Sequence, residues 1–263
     1  MATTTKAARF TKGKERFYEI DGAMLPSVTT ILSTLAKPAL VNWAAKLTRE
    51  RMCDEAADLY DVAAGPSFDR AKFRAELWKR VEKRAFQNET AREAADLGTL
   101  AHARCEWMIQ KRLGVAVGDD PIAVAAPGSD AERALWASLS FEDWMARNKV
   151  EPIATEVVVA HLGHGYAGTA DLIARVDGRV ALVDLKTSSG IWPEMYLQVA
   201  AYAAALNSRC QLADRVETAY ILRLPKKVSD PEFEAVEVDR LDFHLNGFLS
   251  LFGAWLWQSE VTR

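Results

Sequence analysis

Asp171, Asp184 and Lys186 stand in a stretch, Gly165 to Thr187, where charged side chains are set among aliphatic and β-branched neighbours. The run GYAGTADLIARVDGRVALVDLKT predicts two adjacent strands joined at Asp177-Gly178, a dipeptide suited to a two-residue hairpin turn. Strand side chains alternate sides, so Asp184 and Lys186 share one face while Val183 and Leu185 point the other way. Two carboxylates and an amine in a buried hairpin are costly to desolvate unless a cation occupies the site. The chemistry that fits is a hard divalent metal held by oxygen ligands beside a fixed positive charge.

The elements that must position these groups follow from periodicity. Phe17 to Ile20 reads as a short strand turning at Asp21-Gly22, after sixteen polar, basic and frayed residues. In LPSVTTILSTLAKP, Ser27 or Thr29 can cap a short helix that ends before Pro38. Residues 39–113 read as mostly helical with a break near residues 63–67. Phe73, Leu77, Val81 and Ala85 form an apolar stripe beside a basic face that includes Lys79, Arg80, Lys83 and Arg84. That face is either a track for phosphates or a solvated surface paired with Glu76 and Glu82.

Thr90-x-x-Glu93 predicts a capped helix start, and the helix that follows carries His102 and Glu106 on one side. A lone helical histidine is, on its own, a surface or core residue as readily as a ligand. Residues 114–128 form a loop that covers a site or merely connects. Ser129-x-x-Glu132 opens another helix, with Leu135, Trp136, Leu139 and Trp144 expected on its inner side. From Pro152 the period becomes two: a strand over 153–160 containing Glu156, then the hairpin. A helix over 193–207 carries Gln198 and Tyr202, strands follow at 216–224 and 233–238, and Leu241, Leu245, Phe248, Phe252 and Trp255 mark a C-terminal amphipathic helix.

Composition narrows the class. The chain has 263 residues, 49% of them hydrophobic, enough for one large core with a helical extension. Cys53, Cys105 and Cys210 are far apart, which argues against a zinc ribbon or a disulfide framework and for a reducing, cytoplasmic compartment. No apolar run is long enough to span a bilayer, and the N-terminus has no secretory pattern. The net charge of −3 decides nothing about nucleic acid, because clustering of basic residues matters more than their sum. No Walker P-loop is present, so an intrinsic helicase motor is not expected.

Taken in order, Gly98-Thr99-x-x-His102, Gly168-Thr169-Ala170-Asp171, Asp184-Leu185-Lys186-Thr187-Ser188 and Gln198-x-x-x-Tyr202 resemble the PD-(D/E)XK nuclease superfamily, specifically its RecB-like exonuclease branch. Leu25-Pro26-Ser27-Val28-Thr29 also resembles a stretch near the start of phage exonucleases and the mitochondrial genome-maintenance exonuclease. The resemblance implies an α/β (α+β) fold: a restriction-endonuclease-like core over residues 91–263, a central mixed sheet flanked by helices, and a helical N-terminal extension over 1–90 that faces DNA. It implies that Asp171, Asp184 and the Leu185 carbonyl bind Mg²⁺ or Mn²⁺, with His102 adding a nitrogen ligand that suits Mn²⁺ better. Lys186 would position the attacking water and offset charge in the transition state, with Gln198 holding it in line. Glu156 would be an outer or second-metal carboxylate and Tyr202 a backbone contact or brace, although a strand-edge Glu and a buried Tyr are common without function. Relatives with an iron–sulfur cluster use four cysteines; with three here and none after Cys210, no cluster is expected.

The function expected is a metal-dependent DNA exonuclease acting on single strands or duplex ends, bacterial or phage-borne and serving recombination or repair, with a single-strand-binding or recombination protein as an expected partner. Thr187, Ser188 and the basic face would contact phosphates, and Trp78, Trp107 and Trp192 are candidates for base stacking or, for Trp107 above all, for core packing. The alternatives are a structure-specific or restriction-like endonuclease on the same core, and a non-catalytic DNA-binding module on a decayed one.

Overall fold

Aliphatic strands with helices between them fold as the alternation predicts. A computed structural model describes residues 7–13, 15–35, 37–63, 65, 68–82, 84–211, 214–226 and 233–262. The chain forms two units: residues 36–96, and residues 1–35 together with 97–263.

In the larger unit β1 (Ala7–Lys12), β2 (Glu15–Ile20) and β3 (Ala23–Pro26) form an antiparallel sheet in that order. Residues 7–12, expected to be frayed, are thus a strand, because each pairs in register with β2 from Ala7–Ile20 to Lys12–Glu15. Asp21 and Gly22 both have positive φ, 52° and 80°, as a two-residue hairpin turn between twisted strands requires. Ser27 then caps α1 (Val28–Leu32), its Oγ accepting the Thr30 N–H at 3.0 Å.

The smaller unit consists of α2 (Pro38–Ala63), α3 (Arg70–Val81) and the start of α4 (Phe86–Arg112). Asp69 caps α3 by accepting from the N–H groups of Ala71 and Lys72. The α3 stripe is real: Val81 is buried, and Phe73 and Leu77 are partly so. Thr90 starts nothing, since α4 has already run a full turn from Phe86. The Ala85 carbonyl accepts the Asn88 and Glu89 N–H groups there, and Glu89 holds Arg84.

From Leu97 onward α4 belongs to the larger unit, followed by α5 (Asp130–Arg147). Ser129 caps α5 through the Glu132 N–H. The inner face of α5 is Ala134, Ala137, Ser138, Phe141, Trp144 and Met145. Of the expected inner residues Trp144 is buried, but Trp136 and Leu139 are 46% and 42% exposed; the stripe is rotated toward small residues that let α5 lie close. The 114–128 loop is a fixed connection: Asp120 accepts from Arg104 Nε, the Gly118 carbonyl accepts from Trp107 Nε1, and Ile122 is buried.

The main sheet has the order β4 (Glu151–His161), β5 (Tyr166–Val176), β6 (Arg179–Lys186), β7 (Thr218–Arg223) and β8 (Glu234–Val238). Only the β6–β7 pair is parallel, and α6 (Pro193–Asn207) is the crossover that such a pair needs. Asp177 and Gly178, at φ 48° and 85°, make the predicted hairpin. Helices α1, α6 and α7 (Leu241–Val261) cover one face through Val180, Leu182, Ile221, Val199, Phe248 and Phe252. Helices α4 and α5 cover the other through Val183, Leu185, Leu222, Cys105 and Phe141. Burial on both faces is why β5, β6 and β7 are nearly continuous apolar runs, and why a charged residue within one stands out. This is a mixed sheet between helices, the architecture the resemblance implied. No helix among the described residues is long and apolar enough to cross a membrane.

Candidate active site

Pairing between β5 and β6 ends at Leu172–Val183, so the next residues along, Asp171 and Asp184, face each other where the strands part. The Leu185 N–H, released from the ladder, is taken by Asp171 Oδ2 at 2.7 Å. A buried amide must find an acceptor, and here a carboxylate supplies it and is itself held in place. Asp184 is 1% exposed. Its Oδ1 accepts from Gln198 Nε2 at 3.2 Å, and Lys186 is ion-paired to Oδ2, which is buried with no other hydrogen-bond partner. Burial pushes the Asp184 carboxyl up, against the pull of Lys186 and with the help of Asp171.

A chain of contacts fixes Gln198. Its Nε2 also donates to Tyr202 Oη at 3.2 Å, and the two residues sit one turn apart on α6. Tyr202 is buried, and its phenol is held protonated well above its usual range, first by burial and then by Asp184 and Asp171. Its ring lies so close to β5 that a Cβ on Gly168 would stand 2.3 Å from Cε1. Tyr166 Oη donates to the Ala201 carbonyl at 3.0 Å, locking α6 to the same strand. Gly98 has the equivalent role on α4, since a Cβ there would meet Thr187 Oγ1 at 2.7 Å. The glycines of the two motifs are therefore explained by close approach.

His102 Nδ1 lies 3.9 Å from Asp171 Oδ2, at the edge of ion-pair range. Glu156 departs from ordinary strand geometry: its φ is 50°, and it is unpaired between Thr155–Leu172 and Val157–Ala170. Left-handed backbone at a non-glycine residue inside a strand is strained, and such strain concentrates at functional sites. The Glu156 pKa is raised to about 7, first by burial of the carboxyl and then by Asp171 and Glu106, with Arg9 opposing. The residue as a whole is exposed, so solvent weakens that shift. A carboxyl raised in this way favours the fold while protonated, and that contribution is lost as pH rises from 4.5 through about 7. In metal-free buffer, wild-type protein should therefore lose more thermal stability between pH 5 and pH 8 than Glu156→Gln does. Equal losses would remove Glu156 from this acidic cluster. Cys105, beside Asp171, is pushed up to about 12 by burial and is no nucleophile.

Among the described residues no group of three or more His, Cys, Asp or Glu side chains is assembled to hold a metal ion. What stands there is a pair of hard oxygen donors, one with a buried oxygen whose partner is the Lys186 ammonium. That donor set fits a hard divalent cation that keeps part of its water shell. Thr187 and Ser188 continue from Lys186, with Ser188 Oγ donating to the Gly190 carbonyl, and Trp192 caps α6 at 43% exposure. In the helical unit Lys79 pairs with Glu76 at 3.4 Å, Arg80 with Glu55 at 4.0 Å, and Arg84 with both Glu55 and Glu89; Lys83 lies outside the described residues. Trp78 in that unit is 61% exposed, whereas Trp107 packs against the α4–α5 core.

Two neighbours escaped the sequence reading. Tyr18 Oη is 2.8 Å from Thr169 Oγ1, two residues from Asp171, and nothing in its own stretch signals this. Arg223 is 2% exposed, stands beside Lys186 in the parallel register and pairs with Glu234 at 3.6 Å. A lone charge in the apolar run Ile221 to Leu224 is the same signal that marks Asp171 and Asp184.

Residues 67–252 match the family model of the PD-(D/E)XK nuclease superfamily, and the chain belongs to that superfamily. Sixteen chains of solved structures match. One is described as "Crystal Structure of LHK-Exo in complex with dAMP". It is 13% identical, covers 70% of this chain and 84% of its own, and has a TM-score of 0.38, a distant likeness only. No curated protein matches the sequence.

Proposed function

We propose that the chain is a metal-dependent deoxyribonuclease that degrades DNA from ends, of the RecB-like branch. The carrying observation is the facing pair Asp171 and Asp184, the latter buried and ion-paired to Lys186, in a member of a nuclease superfamily. Asp171, Asp184 and the Leu185 carbonyl would hold Mg²⁺ or Mn²⁺, with His102 as a further donor. When bound, such an ion lowers the pKa of a coordinated water and offsets phosphate charge.

The chain's own groups do the rest. Lys186, ion-paired to Asp184, would offer its ammonium to the attacking water or to the phosphate oxygens. Gln198 fixes the Asp184 carboxylate through Oδ1, and Tyr202 fixes Gln198. Glu156 lies at the margin of the cluster, positioned to serve as an outer carboxylate. Thr187, Ser188 and Trp192, which follow the end of β6, would meet the strand being cut. Lys79, Arg80 and Arg84 would contribute only what their carboxylate partners leave uncompensated.

The test is digestion of end-labelled linear single-stranded DNA beside a covalently closed circle, with Mg²⁺, Mn²⁺ or EDTA. Metal-dependent loss of the linear strand with the circle intact is expected. Cutting of the circle makes the enzyme an endonuclease. Binding of both without cleavage makes the chain a non-catalytic module.

A further inference from the structure

The small N-terminal sheet separates its charges by face. Arg9 is the direct cross-strand partner of Tyr18, and Thr11 that of Arg16, so Arg9, Thr11, Arg16 and Tyr18 share one side. Lys12, Glu15 and Glu19 alternate to the other side, where Lys12 and Glu15 are cross-strand partners. The Tyr18 side therefore carries two guanidinium groups and no carboxylate, in a chain whose net charge is −3.

That side is also the one docked next to the aspartates. Its apolar part, Tyr18, Ile20 and Leu25, is buried against Ala160 and Ala167 of β4 and β5. Tyr18 Oη then reaches Thr169, two residues before Asp171 in β5. Beyond this seam Arg9 and Arg16 are exposed, and neither makes an ion pair among the described residues. Arg84 and Arg179, by contrast, are paired with carboxylates. Two exposed arginines on one face thus stand beside the carboxylate centre, with Arg9 within electrostatic reach of Glu156.

We propose that Arg9 and Arg16 form a phosphate-binding ledge that grips the backbone of a single nucleic-acid strand as it enters the Asp171–Asp184 centre. This rests on the nuclease reading above and adds a surface to it. Guanidinium groups bind phosphate oxygens without reading sequence, which suits an enzyme that must move along any strand. Because both lie on a sheet anchored to β5 through Tyr18, the grip is held in register with the cutting site.

The experiment measures affinity for a fluorescein-labelled oligo-dT by anisotropy in EDTA across 50 to 300 mM KCl, with steady-state cleavage in Mg²⁺ alongside. Each lost phosphate contact on a single strand lowers the log–log salt slope by about 0.7, so Arg9→Gln with Arg16→Gln should lower it by about 1.4. KM should rise several-fold while kcat stays within about twofold, and Arg9→Lys with Arg16→Lys should restore the slope because charge, not shape, sets it. An unchanged slope and KM in the glutamine double variant, at unchanged melting temperature, overturns the ledge while leaving the nuclease reading intact. A fall in kcat with no change in slope also overturns it, since the arginines would then act on Glu156 and not on DNA. Absence of both binding and cleavage in the wild type overturns the nuclease reading and the ledge together.

Discussion

Asp184→Asn is expected to cut the rate of phosphodiester cleavage by more than about 100-fold, beyond the usual 10- to 100-fold cost of losing an outer partner of a metal ligand. Asp184 is the buried member of the pair, with Gln198 on one oxygen and Lys186 on the other. The amide keeps the shape and a hydrogen bond to Gln198 but removes the charge that a cation needs. Affinity for single-stranded DNA in EDTA should hold or rise, because a negative charge leaves a surface that a polyanion approaches. Rapid-quench turnover and anisotropy on the same preparation check both halves. Near-native turnover would place the metal elsewhere.

Gly168→Ala should be the most damaging single methyl group in the larger unit. The added carbon would stand 2.3 Å from Tyr202 Cε1 and 3.0 Å from Cζ, inside a ring that is buried and cannot swing away. Overpacking of this kind costs about 1–3 kcal/mol and often more where a rigid ring must move. At about 2–4 °C per kcal/mol for a domain of this size, the melting temperature should fall by roughly 4–10 °C. Tyr202 also carries the hydrogen bond that orients Gln198 toward Asp184, so activity per folded molecule should fall too. Calorimetry with an active-fraction-corrected rate separates the two effects. A variant that melts and cuts like wild type would mean that β5 and α6 are not held this tightly. A paired Tyr202→Phe variant, which keeps the ring and loses the hydroxyl, should reproduce the loss of rate without the loss of stability.

How much of this could be read beforehand depended on the kind of signal. The doubly covered sheet was legible because long aliphatic strands with single charges in them are rare, and Asp171, Asp184 and Lys186 were found by that contrast. The hairpin at Asp177-Gly178 was legible because positive φ at both positions admits few residues. The inner face of α5 is not legible from residue size, because Ala134 and Ala137 bury the face by letting the helix approach while Trp136 and Leu139 stay exposed. Strand β1 was missed because its apolar content is low and its stability comes from pairing with β2, which no local window shows. The same holds for the left-handed backbone of Glu156, which its neighbours enforce against the residue's own preference. Ordering of the charged set is local and readable; the contacts from Tyr18 and Arg9 join distant segments and are not.

The hydrogen bond between Tyr18 and Thr169 spans 151 residues. Closing a flexible loop of that length costs about 4 kcal/mol in chain entropy, less whatever the intervening helices save by folding first. The turns at residues 161–166 and 177–178 close over a few residues, so the β4–β5–β6 meander assembles at little such cost. On loop-closure grounds the carboxylate centre is organised early and the N-terminal sheet seats last. In a chain made from the N-terminus, β1 to β3 emerge before β5, so their docking through Tyr18 must wait until β5 has been made.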